Sequence, residues 1–201
     1  MRPWDYHRDL TQERLVVLAQ LLARGRGHAL DRYDPEVGDD SWTRGVCAFN
    51  YGRFQIARAA GTPGFEWLSV PDGRRRFQFR VGEVMMRFYR GQAEAPKANM
   101  LQATELEQLL LPLEENVPLG GVKFRLAVET DWDGSILQVA FVAIRGDVPE
   151  TIWAVPFETA PPLVVEVTSD LPQEVEVEPV EITFFDDEDE DRASADDAAK
   201  G

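Results

Sequence analysis

The residues of this chain best suited to bind a charged ligand are arginines that alternate with aromatic residues. Arg76 and Arg80 flank a Phe-Gln-Phe run, while Arg87 and Arg90 flank a Phe-Tyr pair that ends in Tyr89. A guanidinium group is planar and matches phosphate or carboxylate, and an exposed ring stacks on bases. With Tyr89 exposed, the pattern predicts a surface for single-stranded nucleic acid. The alternative is that the rings are core and the arginines pair with acids of their own fold.

A second unusual pattern lies near the C-terminus. Acidic and apolar residues alternate over residues 174–184, where Ile182 and Phe184 share one face, and an unbroken acidic run follows that begins Asp186, Asp187 and Glu188. Such a peptide can add a strand to the sheet edge of a partner while its acids contact a basic surface. The alternative is that it completes a sheet of this chain, and the sequence leaves both open.

Motifs for catalysis or metal binding are weak. The segment Glu129–Gly134 has the acid spacing of the first half of an EF-hand loop, but the twelfth position is Ala140, and an Asp-Gly hairpin turn explains the same residues. His7 and His28 form no zinc-peptidase motif, and Cys47 lies in an apolar segment, which is typical of a small buried residue. The nucleophile-elbow, phosphate-loop and dinucleotide motifs are missing. We therefore predict no catalytic residue, no metal and no cofactor.

Charge is distributed unevenly along the chain. The formal net charge is −15, yet residues 1–100 contain 16 Lys+Arg and 12 Asp+Glu, whereas residues 101–201 contain 5 and 24. The acidic half opposes nucleic-acid binding by the whole chain unless it lies away from the arginines. It favours charge-steered contact with another macromolecule. The single Cys excludes an intramolecular disulfide.

Two helices are predicted on either side of the arginine-rich region. Leucines at helical spacing predict a helix over residues 10–32, capped by Asp9 and with a break or bend near Gly25. Thr104 and Glu107 have the spacing of a capping box, which predicts a second, short helix.

The remaining elements are predicted to be strands. The segment Val46–Ile56 is rich in aromatic residues, Pro71–Gly73 is a turn signal, and Gly82 indicates a bulge or bend in the run that carries the arginines. Residues 122–157 alternate in the same way and contain the turn Asp131–Gly134, which together predict an antiparallel meander.

The elements combine into an α+β fold. We predict one domain over residues 1–170, with an N-terminal helix, a mainly antiparallel sheet and a second short helix, followed by an acidic and largely disordered tail over residues 171–201. Apolar runs of about 18 residues are missing, which predicts no membrane span. The first ten residues lack the apolar stretch of a signal peptide, so we expect a cytoplasmic protein.

Three segments resemble one bacterial family. The run Met86–Pro96, the opening Arg2–Tyr6 and the predicted strand Phe124–Asp131 look like those of an uncharacterised family encoded beside helix-turn-helix repressors and zinc metallopeptidases of the ImmA/IrrE type. The resemblance covers most of residues 1–157. It implies a stress-response, antitoxin-like or defence-linked role, and it carries over no catalytic residues.

We therefore predict a non-enzymatic cytoplasmic protein that binds another protein as an accessory or inhibitory partner. Its acidic part would contact a basic surface on that partner through charge complementarity, which favours the rate of encounter and specificity. The alternative function is nucleic-acid binding through the arginine-rich sheet face, with the acidic tail acting as an inhibitor of that binding.

Overall fold

The computed structural model describes residues 1–72, 77–104, 107 and 121–157. All of them belong to the first of the two units into which the chain divides, Met1–Leu163. The helices are α1 (Pro3–Tyr6), α2 (Gln12–Asp31), α3 (Ser41–Ala60) and α4 (Ala98–Leu101), and a 3₁₀ turn spans Pro35–Val37. The strands are β1 (Leu68–Asp72), β2 (Gln78–Val81), β3 (Val84–Arg90), β4 (Val122–Thr130), β5 (Ile136–Arg145) and β6 (Val148–Ala154). The α+β class predicted from the sequence is confirmed.

The strands form one sheet in the order β1-β2-β3-β4-β5-β6. Every neighbouring pair is antiparallel except β3 and β4, which run parallel with Met86 opposite Phe124 and Arg90 opposite Val128. A parallel pair needs a crossover connection. The chain between these strands contains α4, so this crossover brings a third layer of residues against the sheet.

The larger core lies between the sheet and the helices α2 and α3. Leu15 and Leu18 of α2 are fully buried, as are Phe79 and Phe141 of the sheet, and all four belong to one continuous apolar cluster. Burial of each such side chain contributes roughly 1.5–3 kcal/mol. This core fixes α3 against β3, the arrangement on which the candidate site depends.

Helix α2 runs without interruption through Gly25, so the predicted break there is wrong. The glycine serves close packing instead, because a Cβ at Gly25 would lie 2.6 Å from the backbone nitrogen of Gly52 in α3. Thr11 caps the helix by accepting a hydrogen bond from Arg14 N, so the expectation that Asp9 is the cap is also wrong.

The segment Val46–Ile56, predicted as a strand, belongs to α3. Asp40 begins this helix by accepting a hydrogen bond from Thr43 N at 2.8 Å, and the buried Gly52, Ile56 and Ala59 recur at helical spacing. Aromatic content alone favoured a strand, whereas the spacing of the buried positions follows the helix.

Gly82 forms the turn between β2 and β3. Val81 pairs with Val84, and Gly82 between them has φ +58, which suits glycine. The single run predicted through this region is therefore two strands rather than one strand with a bulge. The predicted turn Asp131–Gly134 is confirmed, since Asp131 N donates to Ser135 O at 2.9 Å.

Several predictions lie outside the described residues. They include the domain boundary at residue 170, the acidic tail over residues 171–201, and the named positions Ile182, Phe184, Asp186, Asp187 and Glu188. These stay predictions.

Candidate functional site

An open cleft of about 550 Å³ lies beside the second half of β3. Within the described residues, β2 pairs only with the segment Val84–Met86, so the second half of β3 has no neighbouring strand on that side. Strand residues alternate between faces. The edge therefore offers side chains from both faces of the sheet to the same cleft.

One wall of the cleft is aromatic. Phe49 of α3 lies 5.1 Å from Phe88 of β3 between ring centroids, and Phe77 lies 5.9 Å from Phe88 with its ring nearly perpendicular. Phe77 and Phe88 are buried, so they form a floor rather than free stacking surfaces. Such edge-to-face pairs are worth about 0.5–1.5 kcal/mol beyond the burial of their area.

The charged residues of the cleft are all cationic. Arg87, Arg90 and Lys97 line it, and its described lining contains no Asp, Glu, His or Cys. Arg87 is only 7% exposed and donates to the backbone oxygen of Asn99 at 3.4 Å, whereas Arg90 and Lys97 are exposed at the rim. A recess lined by charges of one sign focuses the potential and attracts ligands of the opposite sign.

The other wall is the crossover segment that carries α4. Fully buried Arg125 of β4 donates from Nε to Met100 O at 3.1 Å and from Nη2 to Gln102 O at 3.4 Å, and it forms an ion pair with Glu107. These bonds hold the backbone of the segment over the sheet. The wall is therefore positioned by a strand residue that does not itself line the cleft.

Thr104 joins this wall to β2. Its backbone nitrogen donates to Glu107 Oε2 at 2.9 Å, and Glu107 N donates back to Thr104 Oγ1 at 3.2 Å, so the predicted capping box is confirmed. The side-chain amide of Gln78 donates to the same hydroxyl oxygen. The local motif thus also fixes the distance between the crossover segment and the sheet edge.

The sequence predicts that Tyr89 is exposed, but in the structure it is buried. It is 5% exposed, lies in a second apolar cluster with Met100 and Ala127, and donates a hydrogen bond to Gln92 O at 3.1 Å. Burial, with a smaller contribution from the charge of Glu129, raises the pKa of the Tyr89 hydroxyl to about 12. The crossover segment covers this face of the sheet, so the ring offers no platform for bases.

Of the other predicted site residues, some line the cleft and some lie outside it. Arg87, Tyr89 and Arg90 come together in the cleft, whereas Arg80 is half-buried on β2 and outside the cleft lining. Arg76 lies outside the described residues, directly before Phe77 in the chain. Alternation along the strands predicts one arginine-rich face of the sheet. The structure instead gathers part of these arginines in a cleft beside β3.

Sequence reasoning missed several cleft residues. Phe49 lies in a segment predicted as a strand, and no motif distinguishes Lys97 or Asn99, because the sequence does not reveal which part of a strand lacks a neighbour. The capping box at Thr104 and Glu107 marks the end of this wall, but the short helix that it predicts lies largely outside the described residues, and α4 ends before it at Leu101.

One group of residues in the described part has metal-ligand types. His7, Asp9 and Glu83 have ligand atoms within 4.8 Å of one another. The carboxylate of Asp9 is already bound to Arg14 at 2.9 Å and to Glu83 N at 3.1 Å, and the hydrogen bond from Arg14 holds its pKa below the ordinary value. These hydrogen bonds hold Asp9 against the turn between β2 and β3, which accounts for the close approach of the three side chains.

Comparisons of this chain with protein-family models, with curated protein sequences and with solved structures find no match. The resemblance to the bacterial family therefore stays a prediction. No helix among the described residues combines the length and apolar character that crossing a bilayer requires.

Proposed function

We propose that this protein is a non-enzymatic, cytoplasmic binding protein that holds an acidic segment of a partner protein in the cleft at the edge of β3. The observation that carries the proposal is the charge of the cleft, since its charged lining residues in the described part of the chain are Arg87, Arg90 and Lys97. The volume of about 550 Å³ lies within the usual range for ligand sites.

The chemistry of the lining supports binding rather than catalysis. General acid–base catalysis needs a group that exchanges protons near neutral pH, usually His, Asp or Glu. The described lining offers none, and the pKa of Tyr89 at about 12 keeps its hydroxyl protonated. Its charged groups are fixed positive charges, which favour an anionic ligand.

A protein segment suits the cleft better than single-stranded nucleic acid. Recognition of unpaired bases relies on exposed aromatic faces. Here Phe77, Phe88 and Tyr89 are buried, and the half-buried Phe49 packs against Phe88. The exposed side chains of the lining are cations and amides, namely Arg90, Lys97, Asn99 and Gln102. An acidic peptide requires only these cations and donors, and charge complementarity speeds its encounter with the cleft.

The accessory or inhibitory role predicted from the sequence agrees with such a site, as does the antitoxin-like or stress-linked role that the family resemblance implies. An antitoxin-like or stress-linked partner acts by occupying a surface of its target, and it needs no chemistry of its own. The predicted contact of Asp186 and its neighbours with a basic surface would be a second contact, outside the described residues.

The proposal is tested by fluorescence anisotropy with a short labelled peptide of alternating Glu and Gly. We expect salt-sensitive binding to the full chain, no binding of the matching Gln and Gly peptide, and a loss of about tenfold or more in affinity for Arg90→Gln/Lys97→Gln. The control Arg8→Gln/Arg24→Gln removes the same charge from exposed positions outside the cleft and should bind like the wild type.

Nucleic-acid binding is the second candidate, since phosphates would also be attracted to Arg90 and Lys97. The same titration with labelled oligothymidylate separates the two. Tighter binding of the oligonucleotide than of the peptide, lost in the cleft variant and kept in the control, would replace the protein-segment proposal.

A further inference from the structure

A small recess of about 40 Å³ adjoins the cleft and shares Phe49, Phe88 and Arg90 with its lining. It is lined by residues of α2, α3, β3 and β4. Its polar lining consists of two arginines, Arg26 and Arg90. The cavity is thus a recess off the cleft with apolar walls and positive charge.

Arg26 is the buried cation of this recess. It is 4% exposed and donates from Nε to Gly134 O at 2.6 Å. Its Nη2 is also buried and has no hydrogen-bond partner among the described residues. A buried donor of a charged group left without an acceptor is costly, so an acceptor at this position would stabilise the site.

The cations around Arg26 outnumber the anions. Burial lowers the pKa of Arg26, and the positive charges of Arg90 and Arg44 lower it further, with Asp133 as the opposing carboxylate. The carboxylate of Asp133 accepts a hydrogen bond from Ser135 N at 2.8 Å and keeps its single negative charge. Three arginines against this one carboxylate leave a net positive charge around Arg26 within the described residues.

Arg44 adds to the same arrangement from α3. It donates from Nη1 to Asp133 O at 2.7 Å, while its buried Nε has no hydrogen-bond partner in the described part of the chain. A Cβ at Gly134 would lie 2.5 Å from Arg26 Nη2 and 3.2 Å from Arg44 Nε, so the two guanidinium groups converge on this turn. Like charges held this close favour an anion between or beside them.

The walls of the cavity distinguish among small anions. A cavity needs about 10–15 Å³ of comparable volume for one water molecule, so the 40 Å³ here holds about three waters or one small anionic group. The character of the walls, rather than the volume, favours a carboxylate on an aliphatic stem over a free phosphate. The apolar walls formed by Leu22 and Val128 suit the short apolar stem that carries a side-chain carboxylate.

We propose that this recess is a carboxylate-binding subsite that takes one Asp or Glu side chain of the segment held in the cleft, with Arg26 and Arg90 as its donors. This inference rests on the proposed function and adds a specificity position to it. Arg26 would then bind the carboxylate of one particular Asp or Glu of the partner, while the cations at the rim of the cleft attract the segment as a whole.

The test uses the full chain and sodium acetate as the carboxylate probe, at ionic strength matched with sodium chloride. We expect a saturable shift of the Arg26 Nε–H signal in nitrogen–proton spectra with acetate, and no such shift with chloride. The signal is assigned by its loss in Arg26→Lys.

The deciding variant is Gly45→Ala. A Cβ at Gly45, a residue that lines the recess, would meet Arg90 Nη1 at 3.7 Å, an ordinary contact, so the methyl group enters the recess without forcing the fold apart. We expect acetate affinity to fall about threefold or more while the thermal midpoint stays level or rises. Gly27→Ala, with open space around its Cβ, is the matched control and should bind acetate like the wild type.

The outcomes separate this inference from the proposed function. Equal acetate affinity in Gly45→Ala and the wild type, or a shift with chloride as large as with acetate, overturns the subsite even if the Glu-Gly peptide binds the cleft. Tighter binding of inorganic phosphate than of acetate at the Arg26 signal overturns the carboxylate assignment. Saturable acetate binding without any peptide binding upholds the subsite and contradicts the proposed function.

Discussion

The guanidinium of Arg125 and the carboxylate of Glu107 form a buried, two-pronged ion pair, with Nη2 and Oε2 3.1 Å apart and the arginine fully buried. The same carboxylate closes the capping box with Thr104. A residue of the central sheet is thereby tied to the segment that forms one wall of the cleft. Hydrogen bonds from Arg125 and Lys123 of β4 to backbone oxygens of the segment reinforce this tie.

Removing one member of this pair should be strongly destabilising. Glu107→Gln leaves the charge of Arg125 buried without its counter-ion, so we expect the free energy of unfolding to fall by about 3–5 kcal/mol in urea titration. The double variant Arg125→Met/Glu107→Leu removes both charges and should recover much of that loss. Glu150→Gln breaks the exposed pair with Arg145 and should cost about 1 kcal/mol or less. Equal losses for the buried and exposed pairs would contradict the account.

Substitution by alanine should change the free energy of unfolding in opposite directions at Gly25 and Gly27 of α2. A Cβ at Gly25 would lie 2.8 Å from Gly52 Cα and from the carbonyl carbon of Tyr51, and backbone atoms cannot give way cheaply. We expect Gly25→Ala to lose at least about 1 kcal/mol of unfolding free energy. Gly27→Ala meets nothing within 4 Å and should gain about 1 kcal/mol from helix propensity. Stabilisation by both substitutions would contradict the close helix contact.

Asp9 should make stability depend on acid pH. The hydrogen bond from Arg14, then that from Glu83 N, holds the pKa of Asp9 below its ordinary value of 3.8 in the folded chain. A lowered folded pKa gives stability that is complete above the unfolded pKa and is lost as pH falls through the folded pKa. The wild type should therefore exceed Asp9→Asn in stability at neutral pH, and the gap should narrow below about pH 4.

The measurement is urea unfolding of both proteins across that range. A gap between wild type and Asp9→Asn that stays constant down to the lowest pH would show that charge on Asp9 plays no part. Gly27→Ala, which changes the same helix and meets no titrating group, provides a control whose effect on stability should not change with pH.

Local patterns predicted much of the fold. The leucine spacing gave α2, the alternation after Val122 gave the meander β4-β5-β6, and the spacing of Thr104 and Glu107 gave the capping box. Each depends on residues close in sequence. The sheet strands of the arginine-rich region were also predicted, although Gly82 divides them.

What the sequence could not reveal depends on distant contacts. Val46–Ile56 has the aromatic composition of a strand, and its packing against α2 and β3 shows which of its residues are buried at helical spacing. Tyr89 alternates like a surface residue, but the crossover segment covers it. Arg26 carries no sequence signal at all, since its importance comes from burial beside Gly134, far away in the chain.

The most direct test of the central claim is an exchange of charge at the rim of the cleft. Arg90→Glu/Lys97→Glu should lose binding of the Glu-Gly peptide by about tenfold or more and should now bind the matching Lys-Gly peptide, while Arg8→Glu/Arg24→Glu keeps the wild-type preference. Anisotropy titrations of the two peptides against the three proteins give the answer. If the cleft variant and the control shift preference equally, or if neither does, the cleft is not the binding site.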